Sequence, residues 1–169
     1  MPHRASREEY AQRADLIGEH RLGDTGQLVL AVLFLLIWLA DTFLLHLTTR
    51  LNRYGSGLVR TIVGFSLQGA AGWLAYVGMK TVFGERRDPP TVIRTGVFGV
   101  VRHPIYLAEL MVYLGFLVHS TPLAAAVVWA AAAGFLHYVA RHEERLLLAR
   151  FGEEYARYQR EVGMWWPRF

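Results

Sequence analysis

The sequence predicts an all-α fold: a polytopic transmembrane helical bundle of about four spans, both termini cytoplasmic, followed by a C-terminal amphipathic helix. Three observations predict it. Of 169 residues, 53% are hydrophobic and only 19% charged, against about 25% charged in soluble domains. The apolar residues are gathered into blocks near the length of about 20 residues that carries a helix across a bilayer. The basic residues segregate to one side of those blocks. The length fits one integral membrane domain over 1–169, with an arm at 1–26, a first pair of spans and their loop at 27–94, and a second half at 95–169.

The arm Met1–Asp24 mixes charges of both signs and reads as a surface helix lying on lipid. The first span is Gln27–Leu47, broken only by Asp41 and His46. A signal peptide is the weaker reading of this segment, because the apolar run starts late and no small-residue cleavage site lies close behind it. Gly55 and Gly57 mark the turn into the uncharged second span, Thr61–Met79. Its Gly64, Gly69, Gly72 and Gly78, with Ser66/Ala70 and Ala71/Ala75 one turn apart, allow close helix approach. The third span, Ile105–His119, is short and carries one charge, Glu109, so it begins near the headgroups just after Pro104. The fourth, Thr121–Ala140, is uncharged, and the brief turn at Ser120, Thr121 and Pro122 makes the last two spans an antiparallel hairpin.

Charge sets the orientation. Arg4, Arg7, Arg13 and Arg21 lie in the arm. Lys80, Arg86, Arg87, Arg94 and Arg102 lie in the second loop, and Arg141, Arg145, Arg150, Arg157, Arg160 and Arg168 in the tail. With four spans all of these share one face, and only Arg50, Arg53 and Arg60 fall on the other. Basic residues accumulate on the cytoplasmic side, so both termini are placed there. The net charge of +4 reads as contact with membrane lipid headgroups, not nucleic acid, since the basic residues flank apolar blocks and form no separate domain. The chain has no cysteine, which excludes disulfides, thiolate zinc sites, iron–sulfur clusters and a cysteine nucleophile.

Two polar clusters fall at the cytoplasmic ends of the last two spans. The first is Arg102-His103-Pro104-Ile105-Tyr106, followed by Glu109. Pro104 suits the first helical position and His103 the cap. The helix then opens at the membrane surface with free amides and Arg102 beside them, a setting that favours an anion. Glu109, inside the apolar segment, is costly there and marks a functional candidate. The second cluster is His137, Arg141, His142, Glu143 and Glu144. Glu144, Leu148, Phe151, Tyr155, Tyr158 and Val162 form one helical stripe, apolar but for its first member, with Gly152 as a candidate break. Glu143, Arg150, Glu154, Arg157 and Glu161 form the opposite, solvated stripe. Arg141 and His137 are in phase with Glu144, so the expected partner of a buried Glu144 is Arg141. Trp165 and Trp166 read as an interfacial anchor. No metal site is predicted: His142-Glu143 opens like a zinc-protease motif, but Leu146 stands where the second histidine is needed.

Together the clusters resemble a known family. Thr95-Gly96-Val97-Phe98-Gly99 leading to Arg102-His103-Pro104-Ile105-Tyr106 is similar to the Gly-Pro-Tyr/Phe…Arg-His-Pro-x-Tyr signature of isoprenylcysteine carboxyl methyltransferase and its prokaryotic relatives. Glu143-Glu144-Arg145-Leu146, Phe151-Gly152-Glu153-Glu154-Tyr155 and Tyr158 are similar to that family's Glu-Glu…Phe-Gly-x-x-Tyr-x-x-Tyr tail. Val97 and Gly99 depart from the usual Pro and Arg. The resemblance covers Thr95–Phe169 and rests on nothing in the first two spans. It implies an integral membrane enzyme that binds S-adenosylmethionine outside any Rossmann fold and methylates a lipophilic small-molecule or lipid acceptor. By position, Arg102, His103, Pro104, Tyr106 and the Glu143/Glu144 pair are the implied cofactor contacts, and Glu109 is grouped with them. On this reading Arg102, His103 and the helix start take the cofactor carboxylate, and Glu143 its ammonium or ribose hydroxyls. Glu144 and Arg141 orient the acceptor. Glu144 or His137 is the candidate base where the acceptor must lose a proton. Two rivals carry different expectations: an NADPH-dependent membrane reductase of the sterol-reductase type, and a non-catalytic membrane assembly or sensor protein.

Overall fold

A computed structural model describes residues 21–49, 55–84 and 89–168. The N-terminal arm expected to lie on lipid falls, up to residue 20, outside the described residues, as do Arg50, Arg53, Arg86 and Arg87. The described chain is all-helical: α1 (Arg21–Leu39), α2 (Gly57–Phe83), α3 (Pro104–His119), α4 (Leu123–Phe151) and α5 (Glu153–Glu161). Three stretches are long and apolar enough to cross a membrane: Gly23–Leu45, which runs through α1, together with α2 and α4, while α3 is a shorter apolar helix. The protein is a multi-pass integral membrane protein.

Helix α1 ends in a way its sequence explains. After Leu39 the backbone widens into a π-helical turn, Ala40–Leu45, closed by His46 at φ 50°. The buried Asp41 turns back to accept the amides of Leu47 at 2.7 Å and Thr48 at 3.2 Å, and also the Thr48 hydroxyl. A carboxylate in an apolar run is tolerated here because it satisfies backbone donors at the helix end.

The four long helices alternate in direction. At one end of the bundle, Thr42 meets Ser120 at 2.7 Å and the Leu123 amide donates to the Thr48 hydroxyl at 2.9 Å, tying the end of α1 to the α3–α4 turn. Near the same end, the His119 ring lies over Gly64 of α2, where an added Cβ would come within 2.6 Å of it. Further along the same pair, a Cβ on Gly115 would stand 2.6 Å from Gln68 and 3.0 Å from the Gly64 carbonyl. These glycines set the α2–α3 distance, as small residues do between membrane helices. At the opposite end Gly78 of α2 faces Ile105, at the start of α3. The core lies among α1, α3 and α4: Phe34, Trp38, Tyr113, Leu117, Ala125, Val128 and Ala132. Trp38 fixes the pairing by donating its indole N–H to the Phe116 carbonyl at 2.9 Å.

Helix lengths place the second end relative to the membrane. With 29 residues, α4 is about 44 Å long and outruns a hydrocarbon core of about 30 Å. With 16 residues, α3 is about 24 Å long and falls short of it. The start of α3 is therefore recessed while α4 projects past it. The chain from Val92 to Arg102 and the tail after Phe151 fill the step.

The tail turns at the candidate break. Gly152, at φ 53°, breaks the helix, and α5 restarts at Glu153. Tyr155, Tyr158 and Val162 are buried as the stripe requires, with Leu147 and Phe151 packed against them. Leu148, assigned to the same stripe, is instead 40% exposed. Leu148 lies before the break, in the same helix as Glu144. The tail packs on α4 through Leu147, three residues after Glu144, while Gly152 resets the phase only of α5.

Candidate active site

The site is assembled where α3 begins. A 3-10 turn, Gly96–Gly99, leads into Val101, which pairs with Gly163 as a short parallel bridge. The Arg102 amide donates to the Gly163 carbonyl at 2.9 Å. The C-terminal segment thus returns across the start of α3. Two further contacts hold it there: Tyr158 donates its hydroxyl to the Phe98 carbonyl at 2.7 Å, and Arg94 pairs with Glu161. Burial pushes the phenols of Tyr155 and Tyr158 well above their ordinary range, with the charge of Glu144 adding to the rise for Tyr155. Both hydroxyls stay protonated.

His103 is the N-cap residue and Pro104 holds the first helical position, as the sequence requires. A proline there forfeits an amide that would have no intrahelical partner, and the next amides stay unpaired within the helix. The His103 ring stacks on Tyr106 at 5.6 Å, with an interplanar angle of 5°. Glu144 then comes in from α4. Its Oε1 accepts from Arg102 Nε at 2.6 Å and stands 3.3 Å from His103 Nε2, and its Oε2 accepts from Gln159 Nε2 at 3.0 Å. Arg102 also donates through Nη1 to the carbonyls of Gln159, at 3.1 Å, and Val162. Glu144 is the most buried carboxylate of the cluster, and its contact with Arg102 is charge-assisted.

Glu143 behaves differently from its neighbour and from expectation. The sequence puts it on a solvated stripe opposite Glu144. In the structure it is half-buried, accepts the Tyr106 hydroxyl and lies 3.8 Å from His103 Nδ1. The imidazole sits between the two carboxylates, so adjacent positions on α4 converge on one ring from its two nitrogens.

Arg141 is not the partner of Glu144. It is exposed, and so is His137. The buried face of α4 runs through Ala132, Leu136, Ala140 and Glu144. Residues 137 and 141 each sit one position, about 100°, off that line. The cation comes from Arg102 on another segment. His137 instead accepts the Trp165 indole N–H at Nδ1, at 3.1 Å. Trp165, read from sequence as a lipid anchor, packs near both His137 and His103, at ring separations of 6.3 and 6.0 Å. Trp166 alone points outward. Glu109 lies one turn deeper in α3 than Tyr106 and accepts the Tyr113 hydroxyl at 2.6 Å, apart from the pair on α4.

Of the residues singled out from sequence, the structure brings together Arg102, His103, Pro104, Tyr106, Glu143 and Glu144, and leaves Arg141 outside. It adds Gln159 and Trp165. The sequence signal for Gln159 is its place one residue past Tyr158 in the tail, which a stripe of apolar residues does not highlight.

The arrangement presents a half-buried carboxylate, two stacked rings, a helix start and a buried ion pair at a recessed membrane edge. Such a set offers carboxylate oxygens and stacked ring faces at one end of the hairpin. A comparison with protein families matches this chain over residues 57–154 to the model for phospholipid methyltransferases. The match takes in α2 as well as the hairpin, so it reaches further toward the N-terminus than the resemblance read from sequence. Neither curated proteins nor solved structures yield a match.

Proposed function

The chain belongs to the phospholipid methyltransferase family, and from that premise we propose that the cluster around His103 is its cofactor site and that this site opens on the cytoplasmic side. As a member of the family the protein is a membrane methyltransferase that uses S-adenosylmethionine and acts on a lipid or lipophilic acceptor. The cofactor supplies an electrophilic methyl group on a sulfonium, so the protein's task is to bind, align and exclude water.

The donor set fits that molecule. The N-terminal end of α3 suits a carboxylate. Glu143, held by Tyr106 and less buried than Glu144, suits an ammonium or ribose hydroxyls. The His103, Tyr106 and Trp165 rings suit a flat base or a sulfonium. Glu144 has a supporting role on this reading: its oxygens already serve Arg102, His103 and Gln159. Arg141, exposed near the mouth, is left for the acceptor's headgroup. The cytoplasmic assignment rests on charge, since Arg94, Arg102, Arg145, Arg150, Arg157, Arg160 and Arg168 all lie at or beyond this end. The recessed start of α3 supports entry of the acceptor from the bilayer.

The observation that carries the proposal is the convergence of Glu143 and Glu144 on the two nitrogens of His103. Titration of detergent-solubilised protein with S-adenosylmethionine, its demethylated product and NADPH tests it. Saturable binding of the first two, weakened about tenfold or more in Glu143→Gln, is expected. Binding of NADPH alone, or unaltered affinity in Glu143→Gln, contradicts it.

A further inference from the structure

The chain beyond α5 crosses the site as a strap whose two ends are tied to the same side. One end is the bridge between Gly163 and Val101. After Gly163 the backbone folds back so tightly that a Cβ there would strike the Trp166 carbonyl. At the other end Arg168 donates through Nη1 to the carbonyls of Gln159, at 3.1 Å, and Arg160, at 2.9 Å. These lie in the last turn of α5, where carbonyls lack partners within the helix. The Gln159 carbonyl is also one that Arg102 holds.

Trp165 projects from the middle of this strap. It is half-buried, whereas its neighbour Trp166 is 77% exposed. The Trp165 ring tilts against His103 at 6.0 Å and donates its N–H to His137 Nδ1 at 3.1 Å. His137 is on α4, two turns or about 10 Å nearer the membrane interior than Glu144. The hydrogen bond therefore ties the strap to a helix that its two ends do not hold. A neutral imidazole has one acceptor nitrogen, and in His137 that nitrogen is taken by Trp165. We propose that His137 is a positioning residue of the methyl transfer: it fixes the Trp165 indole in the orientation in which the ring lines the cofactor site beside His103. This rests on the methyltransferase reading above. Without the bond the indole is free to turn, and ordering it again on binding costs affinity. The role is thus distinct from that of a base, which needs the lone pair that Trp165 occupies.

The test uses the full-length protein in detergent and calorimetric titration with S-adenosylmethionine. His137 is exposed, so its variants leave the core intact. His137→Leu removes the acceptor and is expected to weaken binding about fivefold. His137→Asn, whose side-chain oxygen stands near the place of Nδ1, recovers most of that loss. Trp165→Phe keeps a ring but drops the N–H and weakens binding to a similar extent. The double variant His137→Leu/Trp165→Phe then loses no more than about twofold beyond either single change, because both remove one interaction. A spectroscopic readout follows the indole itself. The fluorescence change on cofactor binding, taken as the wild-type signal less that of Trp165→Phe, shrinks in His137→Leu and returns in His137→Asn. Cofactor affinity at the wild-type level in His137→Leu overturns the proposal, even where turnover falls, since that is the pattern of a proton acceptor. Additive losses in the double variant, or a wild-type fluorescence change no different from that of Trp165→Phe, also overturn it. Failure of the wild type to bind S-adenosylmethionine at all overturns the methyltransferase reading itself, a separate outcome.

Discussion

Replacing Arg102 by Met should destabilise the protein through a charge left behind on Glu144. The two side chains are 8% and 3% exposed and meet at 2.6 Å. Breaking a buried pair from one side costs about 3–5 kcal/mol. Glu144 keeps His103 and Gln159, so the lower end, about 3 kcal/mol, applies. For a chain of this size each kcal/mol moves the melting temperature by about 2–4 °C, giving a fall of about 6–12 °C. Thermal unfolding in detergent, followed by tryptophan fluorescence, reads it. The companion variant Glu144→Leu and the double variant close a cycle. Removing both charges should cost at least about 1 kcal/mol less than the sum of the single losses, because no stranded carboxylate remains. The bonds from Arg102 to the Gln159 and Val162 carbonyls are lost in Arg102→Met and in the double variant alike, so they cancel. A melting temperature within about 1 °C of wild type for Arg102→Met, or strict additivity in the cycle, refutes the reasoning.

Other consequences can be measured separately. Tyr106→Phe removes the hydroxyl that orients Glu143 and should weaken S-adenosylmethionine about tenfold by calorimetric titration, with the fold intact. Asp41→Ala leaves the amides of Leu47 and Thr48 unpaired at the far end of the bundle; about 1–3 kcal/mol of stability should be lost in thermal melts, with no change in cofactor affinity. Gly115→Val forces a side chain against Gln68 and the Gly64 carbonyl, so α2 and α3 must part at a cost of about 1–3 kcal/mol, read in the same melts.

The fold is largely legible in the sequence because membrane helices announce themselves locally. Uncharged runs, Pro104 and the Ser120–Pro122 turn place α2, α3 and α4 with no knowledge of their partners. The end of α1 is less so: Asp41 reads as a blemish in a span until Thr48 and Leu47 are seen to close on it. In the site, the burial of Glu144 follows from helical phase, but its partner does not. Arg102 lies 42 positions away along the chain, and no periodicity within α4 can report a guanidinium brought in by another segment. Glu143 is misplaced for a related reason. A phase argument assigns a residue to solvent when its own helix does not bury it, whereas His103 and Tyr106 of α3 cover Glu143 from outside. The return of the tail, with Gly163 beside Val101, likewise has no local mark in a stretch that looks like a lipid anchor.

The central claim is that the recessed end of the α3–α4 hairpin holds S-adenosylmethionine and delivers its methyl group to a lipid. Purified protein incubated with methyl-labelled S-adenosylmethionine and a total lipid extract tests it most directly. Label is expected in the organic phase with wild type, and is lost in a folded Glu143→Gln variant. Unlabelled lipid with a folded wild-type protein, or equal labelling by both proteins, contradicts it.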